Sequence, residues 1–106
     1  MIPKKYLEMI AMSMKSKSKR NSMIDYLIDF MSVIRRFSLY ASKVCVHRIP
    51  VDSKVFELHF KNIMKYLIYG CAIFDLDFND LIQQVVDNTI NDTYEIKLKN
   101  GDDKNE

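Results

Sequence analysis

Met23-Ile24-Asp25-Tyr26-Leu27-Ile28-Asp29-Phe30-Met31-Ser32-Val33-Ile34-Arg35-Arg36-Phe37-Ser38-Leu39-Tyr40-Ala41-Ser42-Lys43-Val44-Cys45-Val46 is the stretch whose rhythm decides the fold of this 106-residue chain. Met23, Leu27, Phe30, Met31, Ile34, Ala41 and Cys45 recur at helical spacing. Ile24, Ile28, Val33, Phe37 and Tyr40 widen that apolar face beyond a single stripe. The pattern predicts a helix over 23–46, and its width predicts that this helix lies at the centre of a bundle. Ser22 followed by Asp25 reads as a capping box with Asp in place of the usual Glu.

Working outward, Pro3 suits the first turn of a helix running to about Met14, with Tyr6, Leu7, Met9, Ile10 and Met14 as its apolar stripe. Lys15-Ser16-Lys17-Ser18-Lys19-Arg20 has no apolar residue and reads as an exposed basic linker or a charged extension of that helix. On the other side, Pro50 disfavours helix at Ile49, so residues 47–52 should form a break. Asp52 or Ser53 can cap a third helix carrying Val55, Phe56, Phe60, Ile63, Met64, Leu67, Ile68, Cys71 and Ala72. Gly70 inside it costs about 1 kcal/mol relative to Ala, and such a glycine marks close approach by another helix. Asp75-Leu76-Asp77 should form a corner, with Asp77 capping a fourth helix along Phe78, Leu81, Ile82, Val85, Val86 and Ile90. Tyr94, Ile96 and Leu98 alternate as a frayed helical continuation or a short strand would. The expected architecture is therefore all-α: one domain of about four helices over residues 1–99, oligomeric, followed by a flexible polar tail at 100–106.

Composition agrees with this class. Two glycines and two prolines disfavour turn-rich β folds. Residues 1–54 hold eleven Lys/Arg against four Asp/Glu, and residues 55–106 hold five against ten, so the +2 total hides +7 and −5 halves. That polarity can steer an acidic partner, or it can cancel between halves that pack together. Cys45 and Cys71 both have apolar sequence neighbours and read as two buried free thiols. No uninterrupted apolar run follows Lys4 and Lys5 as a secretory signal would need, so a reducing cytoplasmic setting is expected. The longest apolar run, Tyr66 to Phe74, is far short of a membrane span.

The residues that could carry chemistry are few. Cys45, His47, His59 and Cys71 lack the doubly paired spacing of a zinc module, and nothing in the sequence sets a histidine beside either thiol. Asp25 and Asp29, four apart, share one helix face and could hold Mg²⁺, or could form a solvated acidic stripe. Lys15, Lys17, Lys19, Arg20, Arg35 and Arg36 are the candidate contacts to a partner. With Lys43 and Arg48 they could meet nucleic-acid phosphates, but no recognition-helix or base-stacking motif accompanies them.

Tyr69-Gly70-Cys71-Ala72-Ile73-Phe74-Asp75-Leu76-Asp77-Phe78, then Val85-Val86-Asp87-Asn88, resembles the last two helices of MazG-type nucleotide pyrophosphohydrolases. The resemblance covers about a third of the chain and implies an all-α, oligomeric fold with Mg²⁺ held by acidic pairs on two helices. In that family a Glu and an Asp precede the glycine segment by about two turns. Here the corresponding Leu58-His59-Phe60-Lys61-Asn62-Ile63-Met64-Lys65 has no carboxylate, and Asp25 and Asp29 stand at the wrong spacing for the upstream pair. The resemblance therefore carries over a fold and no catalytic residue or cofactor. Seven methionines and twelve Phe/Tyr on so small a body suit an adaptable, aromatic-anchored interface. The expected function is a non-enzymatic helical interaction module, a regulator or inhibitor of a larger protein; the alternatives are a divergent Mg²⁺-dependent pyrophosphohydrolase, which the resemblance implies, and a nucleic-acid binder using the basic residues between 15 and 48.

Overall fold

The computed structural model describes residues 1–17 and 23–104, which form four helices and no strand. They are α1 (Lys4–Lys17), α2 (Met23–Val46), α3 (Ser53–Ile73) and α4 (Phe78–Lys104). The chain is all-α, and its starts and stops follow local chemistry. Pro3 contributes its carbonyl to the amides of Tyr6 and Leu7 and so opens α1. Asp52, in extended conformation, accepts from the Lys54 amide at 3.0 Å and caps α3; Asp77 does the same for α4 through the Asp80 amide at 3.2 Å.

The reversal between α3 and α4 is a Schellman turn. The Phe74 amide bonds the Gly70 carbonyl at 2.9 Å, and the Leu76 amide reaches back to Cys71 at 2.7 Å. The turn needs a left-handed residue, and Asp75 supplies it at φ 56° where glycine would be usual. Arg48 does likewise at φ 52° after α2. The linker beyond it is tied down by the Asp52 amide, which donates to the Tyr40 hydroxyl at 3.3 Å.

The central element is α3, not α2 as the width of the 23–46 pattern suggested. Two apolar faces of α3 are covered, one by α1 and one by α2. Against α1, Ile68 and Cys71 join Phe78 in a buried cluster packed by Leu7, Ile10 and Leu81. Against α2 the contact is aromatic. Tyr26 meets Tyr69 edge-on at 5.6 Å and Phe74 at 6.1 Å. Farther along, Phe37, Tyr40, Phe56, His59 and Phe60 form a second ring cluster with centroids 5.0–6.1 Å apart. The Tyr26 hydroxyl donates to the Tyr66 carbonyl at 2.6 Å, satisfying an end that would otherwise be half-buried without a partner.

Two helices run farther than their apolar patterns reach, and one thiol is placed differently from the sequence reading. Helix α1 runs three residues past Met14, so Lys15 to Lys17 belong to it; Ser18 to Ser22, with the expected capping serine, lie outside the described residues. Helix α4 continues past Ile90 to Lys104. It takes in the 94–98 alternation and the first residues of the segment read as a tail. The side-chain pairs Gln83–Asp87 at 3.0 Å and Gln84–Asp80 at 2.9 Å support its first half. Cys71 is buried, but Cys45 is exposed: apolar sequence neighbours on a helix point in different directions.

Candidate functional site

Surface apolarity is the feature that sets this molecule apart. Among the described residues, only Tyr26, Val33, Ile68, Tyr69, Cys71 and Phe78 are buried large apolar or thiol side chains, and none of the described side chains is fully enclosed. Helix α2 turns Tyr26, Phe30, Val33 and Phe37 toward α3. About a third of a turn away, Ile24, Leu27, Ile28, Met31 and Ile34 make a second stripe facing outward, with Met31 68% exposed. Helix α4 is engaged only at its start. Every residue from Ile82 to Asn100 is exposed. Ile82, Val85, Val86 and Ile90 nevertheless keep helical spacing along one side, while Asp80, Asp87 and Asn91 keep to the other. The apolar side of α4 beyond Leu81 is therefore left uncovered by the described residues.

A second feature is a groove of about 600 Å³ where α1 passes the α3–α4 corner. Leu7, Ala11, Ile68, Cys71 and Phe78 form its apolar wall; Lys4, Glu8, Asp75 and Asp77 stand around it. Burial, and then the nearby Asp77 carboxylate, push the Cys71 thiol above its usual range, so it stays protonated near neutrality. At the rim the Asn79 amide nitrogen donates to the Ile2 carbonyl at 2.7 Å and ties the N-terminus to α4; its Oδ1 is buried without a bonded partner. This wall packs α1 onto α3 and contains no activated nucleophile.

The candidate residues from the sequence are dispersed. Asp25 and Asp29 are half-buried on α2. The Asp29 carboxylate, after burial, raises the Tyr66 phenol above its ordinary value, while Arg36 pulls it back. Among the described residues, no three His, Cys, Asp or Glu side chains come close enough to hold a metal together. Arg36 bonds Ser32 across one turn at 3.4 Å, and Arg35 and Lys15 are exposed. Lys17 ends α1, whereas Lys19 and Arg20 lie outside the described residues. No described helix is long and apolar enough to cross a membrane. No family model matches this chain, and comparison with the curated proteins and with the solved structures found no match.

Proposed function

We propose that the chain is a non-enzymatic helical interaction module whose working surfaces are the bare apolar faces of α2 and α4. The observation that carries this reading is the exposure of Ile82, Val85, Val86 and Ile90, which keep helical spacing along one side of α4 with nothing packed on them. Surface of that kind is stable in water chiefly when another protein covers it. The module regulates by occupation, presenting rigid helices to a groove or helix on its target. Its basic residues, Lys15, Arg35 and Arg36 among them, quicken encounter with an acidic target more than they hold the complex.

The test is comparative capture from the native cell with tagged wild-type chain and a Met31→Glu, Ile90→Glu double variant. Proteins recovered with the wild type and lost from the variant support the module. Identical recoveries from both would remove it. The reading also expects no Mg²⁺-dependent release of pyrophosphate from nucleoside triphosphates.

A further inference from the structure

We infer that the partner covering these faces is a second copy of this chain, with α4 of each protomer laid antiparallel along the outer stripe of the other's α2. This rests on the interaction-module reading and names the occupant of these faces in the free protein, which a target binding there must displace. Surface area supports it first. The chain exposes 8805 Å², whereas a folded monomer of 12.5 kDa exposes about 6,200 Å². The difference, roughly 2,600 Å² per chain, is at the upper end of what each subunit of an obligate homodimer buries. The radius of gyration, 18.6 Å, likewise exceeds the roughly 13 Å of a compact chain this long.

Geometry chooses the arrangement. The bare stripe of α2 runs from Ile24 to Ile34 and that of α4 from Ile82 to Ile90, so the two faces match in length to within a turn. Pairing two copies of α4 with each other would leave the α2 stripe bare. Reciprocal exchange covers both faces with one twofold-related contact used twice. The helix dipoles set the direction, since antiparallel packing opposes them favourably.

The experiment is sedimentation equilibrium on the full chain and four exposed-site variants. Wild type and Asn91→Glu, on the polar side of α4, are expected at twice the 12.5 kDa chain mass. Met31→Glu and Ile90→Glu are each expected to lose the dimer at micromolar concentration. Mixed in equal amounts, Met31→Glu and an Ile90→Lys variant are expected to regain it, because one intact α4 then meets one intact α2 and the second contact pairs a carboxylate with an ammonium. A monomeric wild type, a dimer indifferent to Met31→Glu, or no recovery on mixing would each overturn the exchange. Small-angle scattering separates the two levels. A monomer near 18.6 Å would sink the exchange alone, while a compact one near ~13 Å would show the faces covered within the chain and sink the interaction module as well.

Discussion

The Tyr26 hydroxyl occupies the space that a side chain at Gly70 would need. A Cβ built at Gly70 overlaps the phenol oxygen and its ring carbon, so α2 approaches α3 through the gap left by a missing methyl group. Helix propensity alone would favour Ala at this position by about 1 kcal/mol. Overpacking and the lost Tyr26–Tyr66 hydrogen bond work against it with about 2–4 kcal/mol together. Gly70→Ala is therefore expected to lower stability by about 1–3 kcal/mol in urea unfolding. Tyr26→Phe alone should cost about 1 kcal/mol, and the double variant less than the sum, since both act on one contact. A Gly70→Ala variant more stable than wild type would show that the rings can move aside without loss.

Gly70 is also a residue whose role is legible in the sequence alone. A glycine in an otherwise apolar helix signals a close neighbour, and the neighbour is there. The Asp52 and Asp77 caps, the break at Pro50 and the 23–46 helix were equally legible, because each depends on residues a few positions apart. The central place of α3 was not. Which of two wide apolar helices lies between the others depends on contacts forty residues apart, such as Tyr26 with Tyr66. The length of α4 was obscured for another reason. Past Ile90 its polar residues and the glycine at 101 weaken the periodic signal, yet nothing there forbids helix. The candidate site was legible only as an excess of apolar faces; which of them stay bare required the packing.

At the α3–α4 reversal, Asp75 holds a left-handed conformation that glycine adopts without penalty. Its side chain is exposed. Asp75→Gly should raise stability by about 0.5–1 kcal/mol, the relief of strain exceeding the added freedom of the unfolded chain. A measured loss would mean that the carboxylate contributes to the corner beyond its backbone geometry.

The two thiols should react at very different rates. Cys45 is exposed; Cys71 is buried and its thiol is raised above the usual range by burial and by Asp77. With an aromatic disulfide reagent at pH 8, one thiol per chain is expected to react promptly and the second only as the fold opens. Cys45→Ser should remove the fast phase and leave the slow one. Two fast phases in the wild type would contradict the packing of α1 over Cys71.

Alkaline conditions should unfold the chain earlier than its carboxylates or lysines would suggest. Burial raises the phenols of Tyr26 and Tyr66 above their ordinary value of 10.0. For an acid whose neutral form is favoured in the folded state, the contribution is complete below the unfolded value and is lost as pH rises through the folded one. The buried Cys71 thiol, raised above its ordinary 9.0, acts in the same direction, so stability should hold from neutrality to about pH 8 and fall from about pH 9 upward, most steeply above pH 10. Replacing Tyr26 by Phe should flatten that fall while lowering the midpoint at neutral pH. An equal slope in both proteins would assign the alkaline loss to other groups.

The thermal midpoint should depend on protein concentration. As an isolated chain this molecule buries only about half of the surface its unfolded form exposes, against roughly 65% for domains of its size. Its two small clusters on either side of α3 leave little stability in reserve, so association and folding should be coupled. When a dimer unfolds to two chains, mass action lowers its stability on dilution, by about 2.7 kcal/mol of dimer for a hundredfold change. With the usual entropy of unfolding for two chains of 106 residues, that corresponds to a fall of about 6 °C in Tm. Scanning calorimetry or circular dichroism from 1 μM to 100 μM, as ~100-fold steps allow, reads this directly. Asn91→Glu should retain the dependence, because its side chain lies on the polar side of α4. Met31→Glu should abolish it and melt at one lower temperature throughout. A midpoint independent of concentration in the wild type would mean that the chain is stable by itself, and the bare faces of α2 and α4 would then need no second copy to hold the fold.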